Sequence, residues 1–297
     1  MTPASPVDNL RWDATFPVLR LEGSGARDFL QGQTSADLSS SRDAFMHSCW
    51  LTASGRLRAL LEIRFDQTGA DVMVLAGDAD SVQEGFDQVI FPADRVRLLG
   101  RQPQRRLQAL STPETATAGA TTASTTTAST TTPIETDIAW LDGSDALPEP
   151  WAQRPPVDAD ALERWRLEQG WPSGEGELSG DTNPFELGLS HWVSLSKGCY
   201  LGQETMAKLA STGGVKQQLR AWTCQSPLAP GTLLQCNGER AGRITSALPT
   251  PGGQHCIGLA LVRRQYLDAE VLEGPNGERL VLQRPLGFQD PPQAPGS

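Results

Sequence analysis

The chain has 297 residues, of which 38% are hydrophobic and 20% charged, with a formal net charge of −10 and a pI near 4.8. This length suits one to three domains with a substantial core. The acidic balance argues against a broad nucleic-acid-binding face, because phosphates call for clustered Lys and Arg. No apolar run approaches the ~18–20 residues that span a bilayer, and Met1 to Asn9 lacks a basic-then-apolar leader pattern. The expectation is a cytoplasmic monomer with no membrane partner and no direct nucleic-acid partner.

In chain order, Phe16 to Glu22 reads as a strand, and Ser24 is placed to cap a short helix ending at Gly32. Ala44 to Leu51 is a second strand, and Ala53-Ser54-Gly55-Arg56 turns the chain. Leu57, Ala59, Leu61, Ile63 and Phe65 then alternate with Arg58, Glu62, Arg64 and Asp66, the period of a half-buried strand. Asp71 to Ala76 is a further strand. Ser81-Val82-Gln83-Glu84 matches a capping box, and Val82, Phe86, Val89 and Ile90 share one helical face. Arg95 to Leu99 closes the unit, and the basic residues from Arg101 to Arg106 read as a solvated loop. The order β-α-β-β-β-α-β, less one edge strand, is a split βαβ, ferredoxin-like pattern.

From Ser111 to Pro133 the chain holds no aliphatic residue larger than alanine. Such a stretch buries too little apolar surface to offset its ordering entropy, so a disordered insert is expected. Ile134 to Leu141 resumes as a strand. Asp158 or Asp160 caps a helix running to Gly170, with Leu162, Trp165, Arg166 and Gln169 on one side. Beyond Gly213-Gly214 everything reads as β, with hairpin signals at Asn237-Gly238 and Asn276-Gly277. About six strands there imply a small antiparallel barrel, and Pro285 to Ser297 is expected to fray. The expected segments are 1–108, the ferredoxin-like part; 109–156, the insert and linker with one strand; 157–212; and the barrel at 213–297.

Five cysteines (Cys49, Cys199, Cys224, Cys236, Cys256) are scattered, odd in number and never in a C-x-x-C pair. That fits reduced thiols in a reducing compartment. His47, His191 and His255 show no metal-ligand spacing with them, so no metal held by the chain is expected. Chemistry concentrates at Lys197-Gly198-Cys199-Tyr200-Leu201-Gly202-Gln203-Glu204. Two glycines bracket the thiol, Lys197 brings a positive charge, and the helix predicted to follow adds its N-terminal dipole, all favouring a reactive thiolate. The alternative is that Cys199 is a small buried hydrophobe. Glu186, in Asp181-Thr182-Asn183-Pro184-Phe185-Glu186, reads as either a ligand-binding carboxylate or a plain surface or capping residue.

The octapeptide KGCYLGQE resembles the signature of the YgfZ-type folate-binding proteins, within the superfamily of the glycine cleavage T-protein. Asp28 to Asp37, with its FLQGQ turn, Arg166 to Pro172, with an R-x-E-x-G-x-P element, and the P-x-E ending at Glu186 resemble further family segments. The resemblance covers roughly residues 16–108 and 158–284. It implies a T-protein-like α+β fold with a ferredoxin-like N-terminal part, a folate-binding middle region and a C-terminal β-barrel. It also implies a folate-binding protein that assists synthesis or repair of iron–sulfur enzymes, including those that thiolate tRNA. The expected cofactor is tetrahydrofolate or a one-carbon derivative, and the expected partners are iron–sulfur client enzymes or assembly factors.

On the same ground, Cys199 and Lys197 are the candidate reactive pair. Glu186, Phe16, Trp165, Tyr200, Gln203, Glu204 and Arg166 are the candidate folate-binding residues, with Glu186 taking the pterin edge. Three positions depart from the family pattern. Lys208 stands where an arginine is common, Phe16 where some relatives place a tryptophan, and Leu162, with Trp165 one turn later, where another tryptophan is usual. An aminomethyltransferase is the first alternative, but its strand carboxylate has no counterpart in Gly55-Arg56-Leu57-Arg58-Ala59-Leu60. A non-catalytic thiol scaffold is the second.

Overall fold

The computed structural model describes residues 7, 9–39, 45–110, 137–142, 146–212, 214–250, 252–253 and 255–292. The insert from Ser111 to Pro133 lies outside the described residues. Contacts divide the chain into two units, one of Met1–Phe16 with Pro103–Leu162 and the other of Pro17–Gln102 with Glu163–Ser297.

The N-terminal half runs β1 (Leu10–Glu22), α1 (Ala26–Gln33), β2 (Met46–Leu51), β3 (Leu57–Phe65), β4 (Gly69–Gly77), α2 (Ala79–Asp87), β5 (Arg97–Leu110) and β6 (Ile138–Leu141). The sheet order is β2-β3-β4-β1-β5-β6, with β2 at an edge. Leaving β2 and β6 aside, the order β3-β4-β1-β5 is that of a split βαβ, as the sequence pattern implied. In the larger unit, Phe29 of α1 meets Phe86 of α2 edge-on at 5.7 Å, and Trp50 of β2 meets Phe86 at 5.9 Å. Leu19, Leu61, Ile63, Val72 and Val82 complete that core, all fully buried.

Both helix starts differ from expectation. Ser24 does not cap α1; Gly25 precedes the helix and offers no side-chain cap. A Cβ at Gly25 would lie 1.7 Å from the Asp94 carbonyl oxygen, so close backbone approach takes the place of capping there. Helix α2 starts earlier than the Ser81 box predicts, because the Asp78 carboxylate accepts from the Asp80 and Ser81 amides at 3.1 and 3.3 Å. The expected loop at Arg101 to Arg106 is instead part of β5. In the smaller unit Arg105 pairs with Asp13 at 2.7 Å, and Arg106 is 2% exposed with its guanidinium 5.6 Å over Trp12. Ion pairing and stacking make a basic strand tolerable where sequence suggests a solvated loop.

Helix α3 (Ala159–Gln169) begins in the smaller unit and ends in the larger, where α4 (Gln203–Ser211) precedes the barrel. The Asp158 carboxylate caps α3 by accepting from the Ala161 amide at 2.8 Å. The closed barrel has the order β10-β7-β12-β11-β8-β9. Its strands are β7 (Gln217–Cys224), β8 (Leu233–Cys236), β9 (Glu239–Pro249), β10 (Cys256–Arg263), β11 (Val271–Glu273) and β12 (Arg279–Gln283). Asn237 (φ 51°) and Gly238 (φ 77°) form the two-residue turn between β8 and β9, as their sequence signals. The C-terminal segment does not fray from Pro285: Phe288 is 4% exposed, and its ring fills the space where Gly188 lacks a Cβ. One aromatic anchors the described part of this segment. Among the described residues no helix is long and apolar enough to cross a membrane.

Trp222 is the largest fully buried side chain, 1% exposed, and its indole N–H donates to the Leu259 carbonyl at 3.0 Å. Trp222→Ala is expected to lower unfolding free energy by about 3–5 kcal/mol, measured by urea denaturation; a loss under about 1 kcal/mol would show that the barrel core repacks freely.

Candidate functional site: a thiol loop held by a buried lysine

The loop carrying the candidate thiol lies wholly in the larger unit. It leaves a short 3-10 turn at Ser190–Trp192 and ends where α4 begins at Gln203. Cys199 is exposed, whereas Cys49, Cys224 and Cys256 are buried and Cys236 is partly so. Burial pushes the Cys49 thiol up to about 12, which makes it inert. The reading of Cys199 as a buried hydrophobe therefore does not hold.

Lys197 is 8% exposed. Its ammonium donates to the carbonyls of Gln31, Thr34 and Ala36 at 2.8, 2.5 and 2.6 Å, and lies 4.7 Å from the Tyr200 ring centroid. An ammonium has three donors, so all three go to main-chain oxygens at the end of α1 and the turn after it. A helix C-terminus presents orphan carbonyls and the negative end of the dipole, which is where a cation is favoured. Burial pushes the ammonium down to about 8, and the Asp37 carboxylate acts in the opposite direction.

Main-chain bonds complete the hold. The Leu201 amide donates to the Gly32 carbonyl at 3.1 Å, and the Ser194 amide to the Ser35 carbonyl at 2.8 Å. The buried Ser35 hydroxyl donates to the Trp192 carbonyl at 2.7 Å and accepts from the Cys49 amide at 2.9 Å. Gly202 has φ 85°, and a Cβ there would lie 2.7 Å from the Thr52 carbonyl oxygen, so glycine is required. Gly198 has nothing within 4 Å of an added Cβ, leaving the approach beside the thiol open. The Gln203 side chain donates to the Lys197 carbonyl at 3.2 Å, while Glu204 is exposed in the first turn of α4. Tyr200 is 6% exposed; its hydroxyl has no hydrogen-bond partner among the described residues, and burial pushes its pKa up to about 12.

Glu186 is 4% exposed in the turn ahead of the loop. Its carboxylate accepts from the Asn183 amide at 3.1 Å, and its carbonyl accepts from the Leu219 amide of β7 at 2.8 Å. Burial raises its pKa, while the Asn183 amide, the Gln217 side chain and Arg56 oppose the shift. Glu186 is therefore no plain surface residue, though the Asn183 bond does give it a local turn role.

The remaining candidates sit elsewhere. Arg166 forks onto Glu163 at 2.7 Å, and donates to the Trp171 carbonyl at 2.9 Å and to the Ser246 hydroxyl of β9 at 3.0 Å. Ser246 in turn donates to Glu177, itself 1% exposed, at 2.7 Å. These bonds make Arg166 a brace between α3 and the barrel. Trp165 is buried beside it in sequence, at 8% exposure. Phe16 belongs to the smaller unit, half-buried and edge-on to Trp12 at 5.7 Å. Thus Lys197, Tyr200 and Gln203 gather around the thiol loop, while Arg166 holds a separate network. Sequence reasoning missed Ser35 and the three carbonyls, because main-chain acceptors leave no residue-type signal.

No protein-family model matches the chain. Over 145 residues it is 36% identical to "Putative transferase At1g60990, chloroplastic" of Arabidopsis thaliana, covering 48% of this chain and 34% of that protein. Over 128 residues it is 32% identical to the iron-sulfur cluster assembly factor IBA57, mitochondrial, of Mus musculus, covering 40% and 33%. An aminomethyltransferase of Caldanaerobacter subterraneus is 29% identical over 133 residues, covering 44% and 34%. The similarities support the T-protein superfamily. The chain spans about a third of the length of these curated relatives. The crystal structure of glycine cleavage system aminomethyltransferase T from Bartonella henselae matches 96% of this chain and 87% of its own, with TM-score 0.67 and 15% identity, which shows a shared fold. The α+β architecture with a C-terminal barrel is therefore that of the T-protein fold.

Two outcomes follow from this geometry. Lys197→Met strips the donor from three carbonyls and is expected to cost about 2 kcal/mol or more of stability, measured by urea melts; an unchanged midpoint would show that water replaces the ammonium. The folded Glu186 carboxyl titrates above an unfolded one, so the native state holds the extra proton and the residue's contribution falls as pH rises from about 4.3. Glu186→Gln should therefore gain stability relative to the parent chain between pH 4 and pH 7, and a pH-independent difference between the two would contradict the raised pKa.

Proposed function

We propose that this is a YgfZ-type folate-binding protein that assists synthesis or repair of iron–sulfur enzymes, including tRNA-thiolating ones, in the cytoplasm. The observation that carries the reading is Cys199: an exposed thiol on a loop pinned by Lys197 inside a T-protein fold. One relative points the same way, being named an iron-sulfur cluster assembly factor.

The donor set fits a folate. Glu186 is a largely desolvated carboxylate, and a carboxylate has about four acceptor sites. The Asn183 amide and the Gln217 side chain occupy only part of that capacity. The remainder suits two parallel N–H donors on an aminopyrimidine edge, the strong charge-assisted arrangement. Bound tetrahydrofolate would supply a one-carbon carrier beside the protein's thiol. Glu186 orients the pterin, Lys197 and Ser35 hold the loop in register, and Cys199 presents its sulfur outward to a client. Trp165, Tyr200, Gln203, Glu204 and Arg166 are the further folate contacts of this proposal, Arg166 in addition to its bonds to Glu163, Trp171 and Ser246; Phe16, in the smaller unit, is a separate candidate. Segments 1–108, 157–212 and 213–297 correspond in it to ferredoxin-like, folate-binding and barrel parts.

An aminomethyltransferase is the second reading, favoured by the names of several relatives. The stretch from Gly55 to Leu60 offers no carboxylate for that chemistry.

Titrating tetrahydrofolate against the wild type, Glu186→Ala and Cys199→Ala by thermal shift tests the proposal. Folate at about 100 times Kd should add about 2.7 kcal/mol to the wild type. Glu186→Ala should abolish most of that shift, and Cys199→Ala should keep it while losing support of iron–sulfur enzymes in cells. No shift at saturating folate would sink the folate reading, and turnover of methylenetetrahydrofolate with an aminomethyl donor would favour the transferase.

A further inference from the structure

A cavity of about 420 Å3 opens in the larger unit, walled by Asp37, Phe45, Met46, His47, His191 and Trp192. Its volume falls in the range of small-molecule sites. Neither Cys199 nor Glu186 lines it, although Ser194 and Ala36, which hold the thiol loop, form part of its rim.

Among the described residues the wall is aromatic and carries one carboxylate. His47 stacks on Trp192 at 4.6 Å with 14° between the planes, and His191 meets Trp192 edge-on at 6.1 Å. His47 Nε2 lies 2.8 Å from the carboxylate of Glu62, which is fully buried. Whichever of the two holds the shared proton, that pair contributes no net positive charge. Burial and the nearby His47 push the His191 pKa down, so its ring is neutral at pH 7. The described lining includes no lysine or arginine; the Lys197 ammonium, bonded to three carbonyls, keeps its charge and acts on Asp37 from outside the lining.

That carboxylate is Asp37. Its Oδ1 accepts from Gln31 Nε2, the Ser39 amide and the Ser39 hydroxyl at 2.9, 3.0 and 2.7 Å. These bonds, the Ser39 hydroxyl foremost, hold the carboxyl down at about 2, so it is ionised at any physiological pH. Among the described residues Oδ2 has no hydrogen-bond partner. A carboxylate oxygen fixed by its sibling's bonds and left free at an aromatic wall is the arrangement that recognises a cation with an apolar body.

We propose that this cavity binds a small organic cation, an arylalkyl- or alkylammonium, with the ammonium on Asp37 Oδ2 and the apolar body against Phe45, Met46 and Trp192. The site is separate from the folate proposal and does not rest on it.

The test is a titration of the full chain, carrying 13C-methyl methionine, with 2-phenylethylammonium and, separately, with the neutral isostere 2-phenylethanol. The Met46 methyl resonance is expected to shift saturably with the ammonium, and the alcohol to bind at least about tenfold more weakly. Asp37→Asn, which keeps the Oδ1 acceptor, should lose ammonium binding by about the same factor. Absence of a saturable shift up to about 10 mM, equal affinity for the alcohol, or a folded Asp37→Asn that binds as well as the parent would each overturn the site. Should that variant fail to fold, the comparison of ammonium with alcohol on the wild type decides by itself.

Discussion

The ammonium of Lys197 rests on three carbonyls at the end of the first helix, and most of what surrounds the candidate thiol follows from that contact. Removing a cation from water is costly unless its donors are met. Here the carbonyls of Gln31, Thr34 and Ala36 meet them, two of them in the turn where the chain leaves α1. The loop is thereby fastened at one end, while Gly202 fits against the Thr52 carbonyl at the other. Between these points Cys199 stands in solvent, and Tyr200, its neighbour, faces inward.

The same contact changes how the lysine is understood. Its charge near the sulfur suggests electrostatic activation when only spacing is considered. With its three donors engaged by carbonyls, the ammonium anchors the loop to the end of α1. Ser35 works in parallel: a fully buried hydroxyl that bridges the Trp192 carbonyl and the Cys49 amide, and so ties the segment after α1 to both the loop and the second strand. Polar groups inside a protein are retained when satisfied. These are satisfied by backbone from three separate stretches of chain.

Buried carboxylates mark the rest of the larger unit. Glu62 backs His47, Glu177 backs Arg166 and Ser246, and Glu186 takes the Asn183 amide. Each has a partner that explains its burial locally.

The amino-acid sequence by itself determined the element order and the class of fold. The alternation from Leu57 to Asp66, the apolar face at Val82 and Phe86, and the Asn237-Gly238 turn are local signals, and local signals survive reading one residue at a time. It also picked out Cys199, because two glycines and a flanking lysine around one thiol are visible in eight letters. Tertiary structure alone decided the start of α1, where Gly25 yields to the Asp94 carbonyl, and the strand at Arg101 to Arg106, where Asp13 and Trp12 absorb the charge. It alone decided what Lys197 does, since its partners lie more than 160 residues away and are main-chain oxygens that every residue type carries alike. Pairings of that kind arise from packing, which fixes distances that no pattern of side chains encodes.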